Sequence, residues 1–217
     1  MQPTIHNTIT LVLGGVRSGK SRWAQRLAQQ TERVGYIATA LPIDAEMQQK
    51  IRRHQQDRPA HWTVFEEPIE VANVIIDHAH HFDTLLVDCL TIFVANILIA
   101  AEHEHALNIA SQPALNIASQ PALNIASQLD QRIAALLHAL QTAAAPVVLV
   151  SNEVGSGVVP ANPLGRNYRD ALGEMNQRVA AIADNVVLMI AGLPLVLKGN
   201  DGLKHPDRLN HHDGVGQ

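Results

Sequence analysis

The chain has 217 residues, of which 47% are hydrophobic and only 3% are aromatic, and its formal net charge is −4. This length favours one α/β domain with decorations, whose core must be built from aliphatic side chains. The acidic balance argues against a nonspecific nucleic-acid binder, which normally carries an excess of lysine and arginine. The single cysteine, Cys89, excludes an intrachain disulfide. We find neither a signal peptide nor an apolar stretch long enough to span a bilayer, so we expect a cytoplasmic protein without stable membrane insertion.

Strands and helices are predicted to alternate along the chain. The apolar pattern predicts strands at 9–13, 34–40, 84–88, 147–151 and 186–191, with a sixth at 195–198. Amphipathic periods predict helices at 21–30, 44–57, 91–101 and 131–142, and a longer one within 163–183. This alternation is typical of a mainly parallel sheet with helices on both faces.

An identical repeat interrupts this pattern. ALNIASQP occurs at 106–113 and 114–121, and ALNIASQ follows at 122–128. The simplest interpretation is a recent tandem duplication in a tolerant surface loop, where Pro113 and Pro121 would break a continuous helix. We therefore expect a single domain over 1–198 with the repeat as an inserted loop, followed by a disordered tail over 199–217.

The sequence GGVRSGKS after the first predicted strand fits G-x-x-x-x-G-K-[ST] at every fixed position. Its glycines let backbone N–H groups surround phosphate oxygens, its lysine supplies a cation, and its serine offers a hydroxyl to Mg²⁺. An apolar strand before it and a helix after it complete the pattern. The sequence therefore predicts a P-loop NTPase-like α/β fold that binds a nucleoside triphosphate through Gly14, Gly15, Val16, Arg17, Ser18, Gly19, Lys20 and Ser21.

Asp88 ends the third predicted strand. A carboxylate at that position can hold Mg²⁺ directly or through water. The alternative is an aspartate that begins a turn. Because a P-loop is present, we favour the metal role, shared with the hydroxyl of Ser21.

The helix predicted at 44–57 begins at a plausible N-cap, Asp44, and places Met47, Ile51 and His54 on one face. Basic residues border His54. The ordinary interpretation is a histidine packed on an amphipathic face. The other is a nucleophile that attacks an α-phosphorus while cations hold the triphosphate beside it. Periodicity alone leaves both interpretations open.

Two further clusters are less specific. Arg166 and Arg169 lie near the start of a predicted helix, downstream of the SNEVGSGVVP segment. They could contact phosphate or form a solvated helix start. The three histidines His78, His80 and His81 lack a convincing ligand spacing, so we interpret them as a solvated polar turn.

These motifs occur together in one order: GGxRSGKS, YIATA, H-x-x-x-R-P-x-x-W, LLVDCLT, SNEVGxGxVP and R-x-x-R-D-x-x-G-x-x-N-Q. In that order the chain closely resembles the bifunctional adenosylcobinamide kinase/adenosylcobinamide-phosphate guanylyltransferase family of cobalamin biosynthesis. The resemblance covers residues 8–198 apart from the repeat. The last two motifs carry most of its specificity, since a P-loop alone occurs in many families.

The resemblance implies two reactions. ATP or GTP, with Mg²⁺ as cofactor, phosphorylates adenosylcobinamide; GTP then transfers GMP to adenosylcobinamide phosphate through a guanylyl-histidine, giving adenosyl-GDP-cobinamide. It implies His54 as the guanylylated residue. The other expected catalytic residue is Lys20, whose cation the P-loop motif directs to the outer phosphates. The resemblance also implies a homo-oligomer, with a trimer as one candidate. The nucleotide contacts that the resemblance implies outside the P-loop are Thr39, Ala40, Leu41, Gln55, Gln56, Asp57, Arg58, Glu66 and Asp88.

One departure concerns the nucleophile. Some relatives carry two adjacent histidines where this chain has Arg53 and His54, which leaves one candidate. Two other functions stay open, namely a P-loop small-molecule kinase without a covalent step and a GTP-binding switch. A switch should carry a base-specificity motif such as NKxD, which this sequence lacks.

Overall fold

The computed structural model describes residues 7–56, 58–111, 120–199 and 203. Within this part of the chain the strands are β1 Ile9–Gly14, β2 Val34–Ala38, β3 Thr63–Glu66, β4 Thr84–Asp88, β5 Val147–Asn152, β6 Asn185–Ile190 and β7 Leu193–Lys198. The α-helices are α1 Lys20–Ala28, α2 Ala45–Gln56, α3 Val71–His78, α4 Leu90–Ser111, α5 Gln120–Thr142 and α6 Pro163–Ile182.

The strands form one sheet in the order β3-β2-β4-β5-β1-β6-β7. All neighbouring pairs are parallel except β6 and β7, which form an antiparallel hairpin. The central strands are apolar along their whole length because helices cover both faces of a parallel sheet. The order brings the carboxyl ends of β1, β4 and β5 to one edge, where α/β folds build their sites.

Two hydrophobic clusters cover the two faces of the sheet. The larger one packs helices α3 to α6 against one face, with Leu136, Leu149 and Leu172 fully buried. The smaller one packs α1 against the other face, through Trp23 and Ala24, and includes Trp62. The predicted α/β fold with helices on both faces is therefore confirmed.

The strand predicted at 84–88 has the same bounds in the structure, whereas β3 and α3 were not predicted. Strand β3 is four residues long and mostly exposed at the sheet edge, so it lacks an apolar run. Helix α3 has only eight residues, which is too short for a clear amphipathic period. Both elements are held by tertiary contacts that local sequence does not encode.

We expected a loop over the repeat at 106–128. This expectation is wrong for the two ends of the repeat that the structure describes, because both are helical. Helix α4 continues to Ser111, and α5 begins at Gln120. Alanine, leucine and glutamine favour helix, and Pro121 is the second residue of α5, where a helix tolerates proline. Residues 112–119, including Pro113, lie outside the described residues.

The described part of the predicted tail is Gly199 and Leu203. Leu203 is 8% exposed and belongs to the smaller hydrophobic cluster, so the expected disorder does not hold at this residue. No helix in the described ranges combines the length and the apolar character that a membrane crossing requires.

Candidate active site

The P-loop connects β1 to α1 in the arrangement that the sequence predicts. Arg17 and Gly19 have φ angles of 59° and 93°, so the loop turns twice through left-handed conformations. Such a conformation is strained at Arg17 and free of strain at glycine. The Ser18 N–H donates to the Gly15 carbonyl over 3.2 Å, which closes the turn. Strained backbone of this kind is common in ligand-binding loops.

Lys20 is the first residue of α1 and points back over the loop. Its Nζ donates to the Gly15 carbonyl over 3.1 Å. Burial lowers the pKa of Lys20 below its ordinary value, while electrostatic interactions with Cys89 and Asp88 act in the opposite direction. The ammonium therefore lies inside the loop. An outer phosphate bound there could replace the Gly15 carbonyl as its hydrogen-bond acceptor.

The carboxylate of Asp88 faces the P-loop from the end of β4. One oxygen accepts a hydrogen bond from the Ser21 hydroxyl over 3.4 Å, and the other accepts from the Tyr36 hydroxyl over 3.1 Å. Burial, followed by the nearby charge of Asp88, raises the pKa of Tyr36 well above its ordinary value. Tyr36 therefore remains a hydrogen-bond donor that fixes the orientation of Asp88.

A cavity of about 280 Å³, called here the main cavity, lies over the carboxyl ends of β1, β2, β4 and β5. Four residues of the P-loop line it, namely Val16, Arg17, Lys20 and Ser21. Six predicted residues from other parts of the chain also line it: Ala40, His54, Gln55, Arg58, Glu66 and Asp88. The structure therefore gathers residues from separate motifs around one space.

Helix α2 contributes one part of the lining of the main cavity. Met47, Ile51 and His54 all line the cavity, which confirms that they share a face. Asp44 caps the helix, since its carboxylate accepts from the Met47 N–H over 2.7 Å. No residue of α2 is buried, so His54 presents its imidazole to solvent as well as to the cavity.

Residues 10–197 match a family model described as cobinamide kinase / cobinamide phosphate guanyltransferase, CobU. The chain belongs to this family. The match spans every element that surrounds the main cavity, and the family is one of enzymes with kinase and guanyltransferase activities.

Three similar proteins are bifunctional adenosylcobalamin biosynthesis proteins. CobP of Pseudomonas aeruginosa is 40% identical over 190 residues, which cover 87% of this chain and 96% of the relative. CobU of Salmonella typhimurium is 39% identical over 188 residues, covering 87% and 98%. CobU of Escherichia coli is 36% identical over 188 residues, again covering 87% and 98%.

Some residues that the resemblance to the CobU family implies as nucleotide contacts do not line the main cavity. Thr39 is fully buried, and its hydroxyl both donates to the Cys89 carbonyl and accepts from the Cys89 N–H, each over 2.8 Å. Leu41 and Gln56 are exposed outside the cavity lining. Asp57 lies outside the described residues. A role in nucleotide binding stays a prediction for all four.

The two arginines near the start of α6 lie away from the cavity lining. Arg166 donates to the Pro160 and Ala161 carbonyls over 3.1 and 2.7 Å, so it fastens the preceding loop. Arg169 approaches Asp170 at 3.4 Å. In this structure both arginines therefore have intramolecular partners.

The histidine cluster is only partly a solvated turn. His80 and His81 are exposed in a short 3₁₀ turn, with ring centroids 3.8 Å apart. His78 instead ends α3 and stacks on Phe65, with 4.7 Å between ring centroids. Packing against a neighbouring strand thus explains His78 better than solvation does.

Sequence reasoning missed several residues that line the cavity of this CobU-family chain, including Tyr36, Thr91 and Asn152. Tyr36 lies in the YIATA motif and Asn152 in the SNEVG motif. These motifs indicated that the two segments belong to the site, but not which side chains point into it. Cys89 also lines the cavity, and burial raises the pKa of its thiol to about 11. Its thiol is therefore protonated at neutral pH.

Proposed function

We propose that this chain catalyses both reactions of its family, using the main cavity for each. It would transfer a phosphoryl group from ATP or GTP to the hydroxyl of adenosylcobinamide, and then GMP from GTP to the resulting phosphate through His54. The observation that carries this proposal is that Lys20 and His54 line the same cavity. A phosphate-binding cation and a free nucleophile then face one bound nucleotide.

The kinase step rests on the P-loop. Its backbone N–H groups and the Lys20 ammonium can hold the outer phosphates, so that the γ-phosphorus is positioned for attack by the substrate hydroxyl. Arg17 lines the same cavity and adds a second cation. This arrangement stabilises the charge on the transferred group, which is the main requirement of phosphoryl transfer.

Ser21 and Asp88 fit a Mg²⁺ site. The two side chains provide only oxygen donors, 3.4 Å apart, and Mg²⁺ prefers oxygen ligands together with water and nucleotide phosphates. We propose that Ser21 and Asp88 would hold the ion beside the bound nucleotide. Mg²⁺ bound there would supply positive charge to the phosphate oxygens.

The guanylyl transfer divides into two displacements. A ring nitrogen of His54 forms a bond to the α-phosphorus of GTP, the bond to the α–β bridging oxygen breaks, and pyrophosphate leaves with that electron pair. An oxygen of the acceptor phosphate then attacks the same phosphorus. The nitrogen–phosphorus bond breaks, and His54 regains its lone pair.

The remaining lining residues support a nucleotide that extends from the P-loop toward α2 and β3. Gln55 and Glu66 have amide and carboxylate groups that can pair with the edge of a guanine base. The Arg58 guanidinium lies 4.7 Å from the centre of the Tyr36 ring, so a cation–π contact holds it beside the cavity. We propose that these three residues contact the GTP that guanylylates His54.

The proposal includes a cytoplasmic location, where nucleotides are available, and a homo-oligomer with a trimer as one candidate. Strand β7 supports an assembly because it ends one edge of the sheet with Leu193, Leu195 and Leu197 all exposed. Edge strands with apolar rows favour association with another chain. Sedimentation of the full chain measures the stoichiometry.

Covalent labelling tests the proposed function. The full chain is incubated with Mg²⁺ and α-labelled GTP, quenched with base and counted for protein-bound label. We expect a base-stable, acid-labile adduct in the wild type and in the control His61→Ala, since His61 is exposed and outside the cavity lining. His54→Ala should lose the label and keep the kinase activity.

Other results would change the assignment. Label that persists in His54→Ala would show that another residue is the nucleophile. Kinase activity without any label in the wild type would favour a P-loop small-molecule kinase without a covalent step. Binding of GTP without either transfer would favour a GTP-binding switch.

A further inference from the structure

Asn152 is the last residue of β5, the strand that lies between β1 and β4 in the sheet. Its Cα pairs with that of Gly14, where the P-loop begins, and the residue lines the main cavity. It therefore lies between the two strands that carry the P-loop and Asp88. The sequence motifs gave it no role.

The backbone of Asn152 is fully used by its neighbours. Its N–H donates to the Thr91 hydroxyl over 2.8 Å, and its carbonyl accepts from the side-chain amide of Asn176 over 3.0 Å. The Ser151 hydroxyl in turn donates to the Asn176 amide oxygen over 2.7 Å. This network fixes the position of Asn152 without involving its side chain.

The side-chain oxygen Oδ1 of Asn152 is buried and has no hydrogen-bond partner. Buried polar atoms are almost always paired, and one that is not calls for an explanation such as an absent ligand. Asn152 lines the main cavity, so a rotation of its side chain would bring Oδ1 to a molecule bound there. Either orientation of the amide presents one donor and one acceptor to that molecule.

The strand order indicates which part of the nucleotide Asn152 meets. Glu66 lies on β3, three strands away from β5, and neighbouring strands are spaced by about 4.8 Å. The two residues are thus separated by roughly 14 Å along the sheet. Since Asn152 pairs with Gly14 at the start of the P-loop and Glu66 lies three strands away, the amide lies at the phosphate end of the cavity, away from the base.

We propose that Asn152 contacts the reacting groups of the phosphoryl transfer, which rests on the proposed kinase function. Its Nδ2 would donate to an oxygen of the γ-phosphoryl group, and its Oδ1 would accept from the attacking hydroxyl of the substrate. A neutral amide can make both contacts without repelling the phosphate. The transfer itself forms the oxygen–phosphorus bond to the substrate, breaks the γ-phosphate bond and releases the nucleoside diphosphate.

The proposal predicts that Asn152 matters for one reaction and not for the other. Guanylylation of His54 occurs at the α-phosphorus, so it should not need the amide. Two variants of the full chain, Asn152→Ala and the isosteric Asn152→Asp, are assayed for phosphorylation of cobinamide with ATP and for single-turnover labelling with α-labelled GTP. Asn73→Ala, on the exposed surface of α3, is the matched control.

We expect kcat of the kinase to fall on the order of 100-fold in Asn152→Ala, the loss typical of one transition-state hydrogen bond. The loss should be larger in Asn152→Asp, because its carboxylate repels the phosphate. Labelling of His54, measured as the single-turnover rate at saturating GTP, should stay within about threefold in both variants and in Asn73→Ala. Saturation removes the effect of the γ-phosphate contact on binding, and the bond that breaks at the α-phosphorus does not involve the amide.

An equal loss of kinase activity and labelling would overturn the proposal, because that is the result of a purely structural role. Unchanged kinase activity in both variants would overturn it as well. If Asn152→Ala fails to fold, Asn152→Asp decides alone, since it keeps the shape of the side chain. A wild-type chain with neither activity would instead overturn the proposed function itself, and the inference with it.

Discussion

The hydroxyl oxygen of Ser21 lies 3.4 Å from Oδ1 of Asp88, although 67 residues separate them in the chain. The contact joins the start of α1 to the end of β4, two strands away from the strand that leads into the P-loop. Tyr36 holds the second carboxylate oxygen. Both oxygens of Asp88 are therefore oriented before any ligand binds.

Replacing this carboxylate tests its role as a metal ligand. Asp88→Asn keeps the shape and can still bond to Tyr36 and Ser21, but it removes the negative charge that a divalent cation needs. We expect kinase and guanylylation rates to fall on the order of 100-fold, with a higher Mg²⁺ concentration for half-maximal rate. A Mg²⁺ titration of both activities measures the change.

The control for this substitution is Asp77→Asn, since Asp77 is exposed on α3. It should leave both rates and the Mg²⁺ dependence unchanged. If Asp88→Asn lowered the rates without altering the Mg²⁺ dependence, Asp88 would act by positioning Ser21 and Tyr36 rather than by holding the ion.

The first two glycines of the P-loop offer a matched pair of substitutions. A Cβ on Gly14 would collide with the Ser18 hydroxyl oxygen and lie 2.7 Å from the Met189 carbonyl, whereas a Cβ on Gly15 would meet no atom within 4 Å. Met189 is paired with Gly14 in the sheet, so its backbone cannot withdraw freely. We expect Gly14→Ala to lower the free energy of unfolding by about 1–3 kcal/mol.

Gly15→Ala should change the free energy of unfolding by less than about 0.5 kcal/mol, because the added methyl group has open space. Urea unfolding of the two variants, followed by circular dichroism, measures both values. Equal stabilities would mean that the loop relaxes around the new methyl group at position 14.

The sequence was sufficient for features that depend on residue type and short spacing. The P-loop, the strand that ends at Asp88 and the face of α2 that carries His54 were predicted from local patterns, and the structure contains all three. Strand β3 was missed because it is defined by its pairing with β2. That pairing is a tertiary contact, which local sequence patterns do not reveal. The extension of α4 and α5 into the repeat was missed because the identical repeat was interpreted as an inserted loop.

The direction of each side chain within a motif could not be predicted. YIATA contains both Tyr36 and Thr39, and the expected nucleotide contact was Thr39. In the structure the Thr39 hydroxyl donates one hydrogen bond to the Cys89 backbone and accepts another from it, while Tyr36 lines the cavity and donates to Asp88. The two residues are three positions apart, so their side chains point in opposite directions from an extended chain, and the sequence does not tell which direction meets the site.

The buried amine of Lys20 predicts a pH dependence. Burial lowers its pKa, so the ammonium loses its proton at a lower pH than an ordinary lysine does. If the protonated form holds the phosphates, kcat/KM should fall as the pH rises through this lowered pKa, and the alkaline limb reports the free enzyme. The thiol of Cys89, with a pKa of about 11, titrates too high to produce that limb.

Lys20→Arg provides the check, because a guanidinium stays protonated at every accessible pH. The variant should be slower, since its planar group is larger, but its kcat/KM should lack the alkaline limb. An alkaline limb that stays at the same pH in Lys20→Arg would assign it to another group. The measurement is a pH profile of the kinase between neutral pH and the onset of unfolding.

The direction of attack at the α-phosphorus leads to the last prediction. Phosphoryl displacements place the attacking and leaving groups in line, so pyrophosphate must leave from the side of phosphorus opposite His54. The acceptor phosphate must attack from that same side to displace His54. It should therefore bind at the P-loop position that pyrophosphate has left, beside Lys20.

Pyrophosphate should then compete with the phosphorylated acceptor for the guanylylated enzyme. We expect inhibition that is competitive toward cobinamide phosphate, together with regeneration of GTP when pyrophosphate is added to the labelled protein. Lys20→Ala should lose its label slowly with either compound, while hydrolysis of the label by water should be unaffected. Noncompetitive inhibition by pyrophosphate would mean that pyrophosphate and cobinamide phosphate bind at separate sites. The two in-line displacements would then not share the P-loop position.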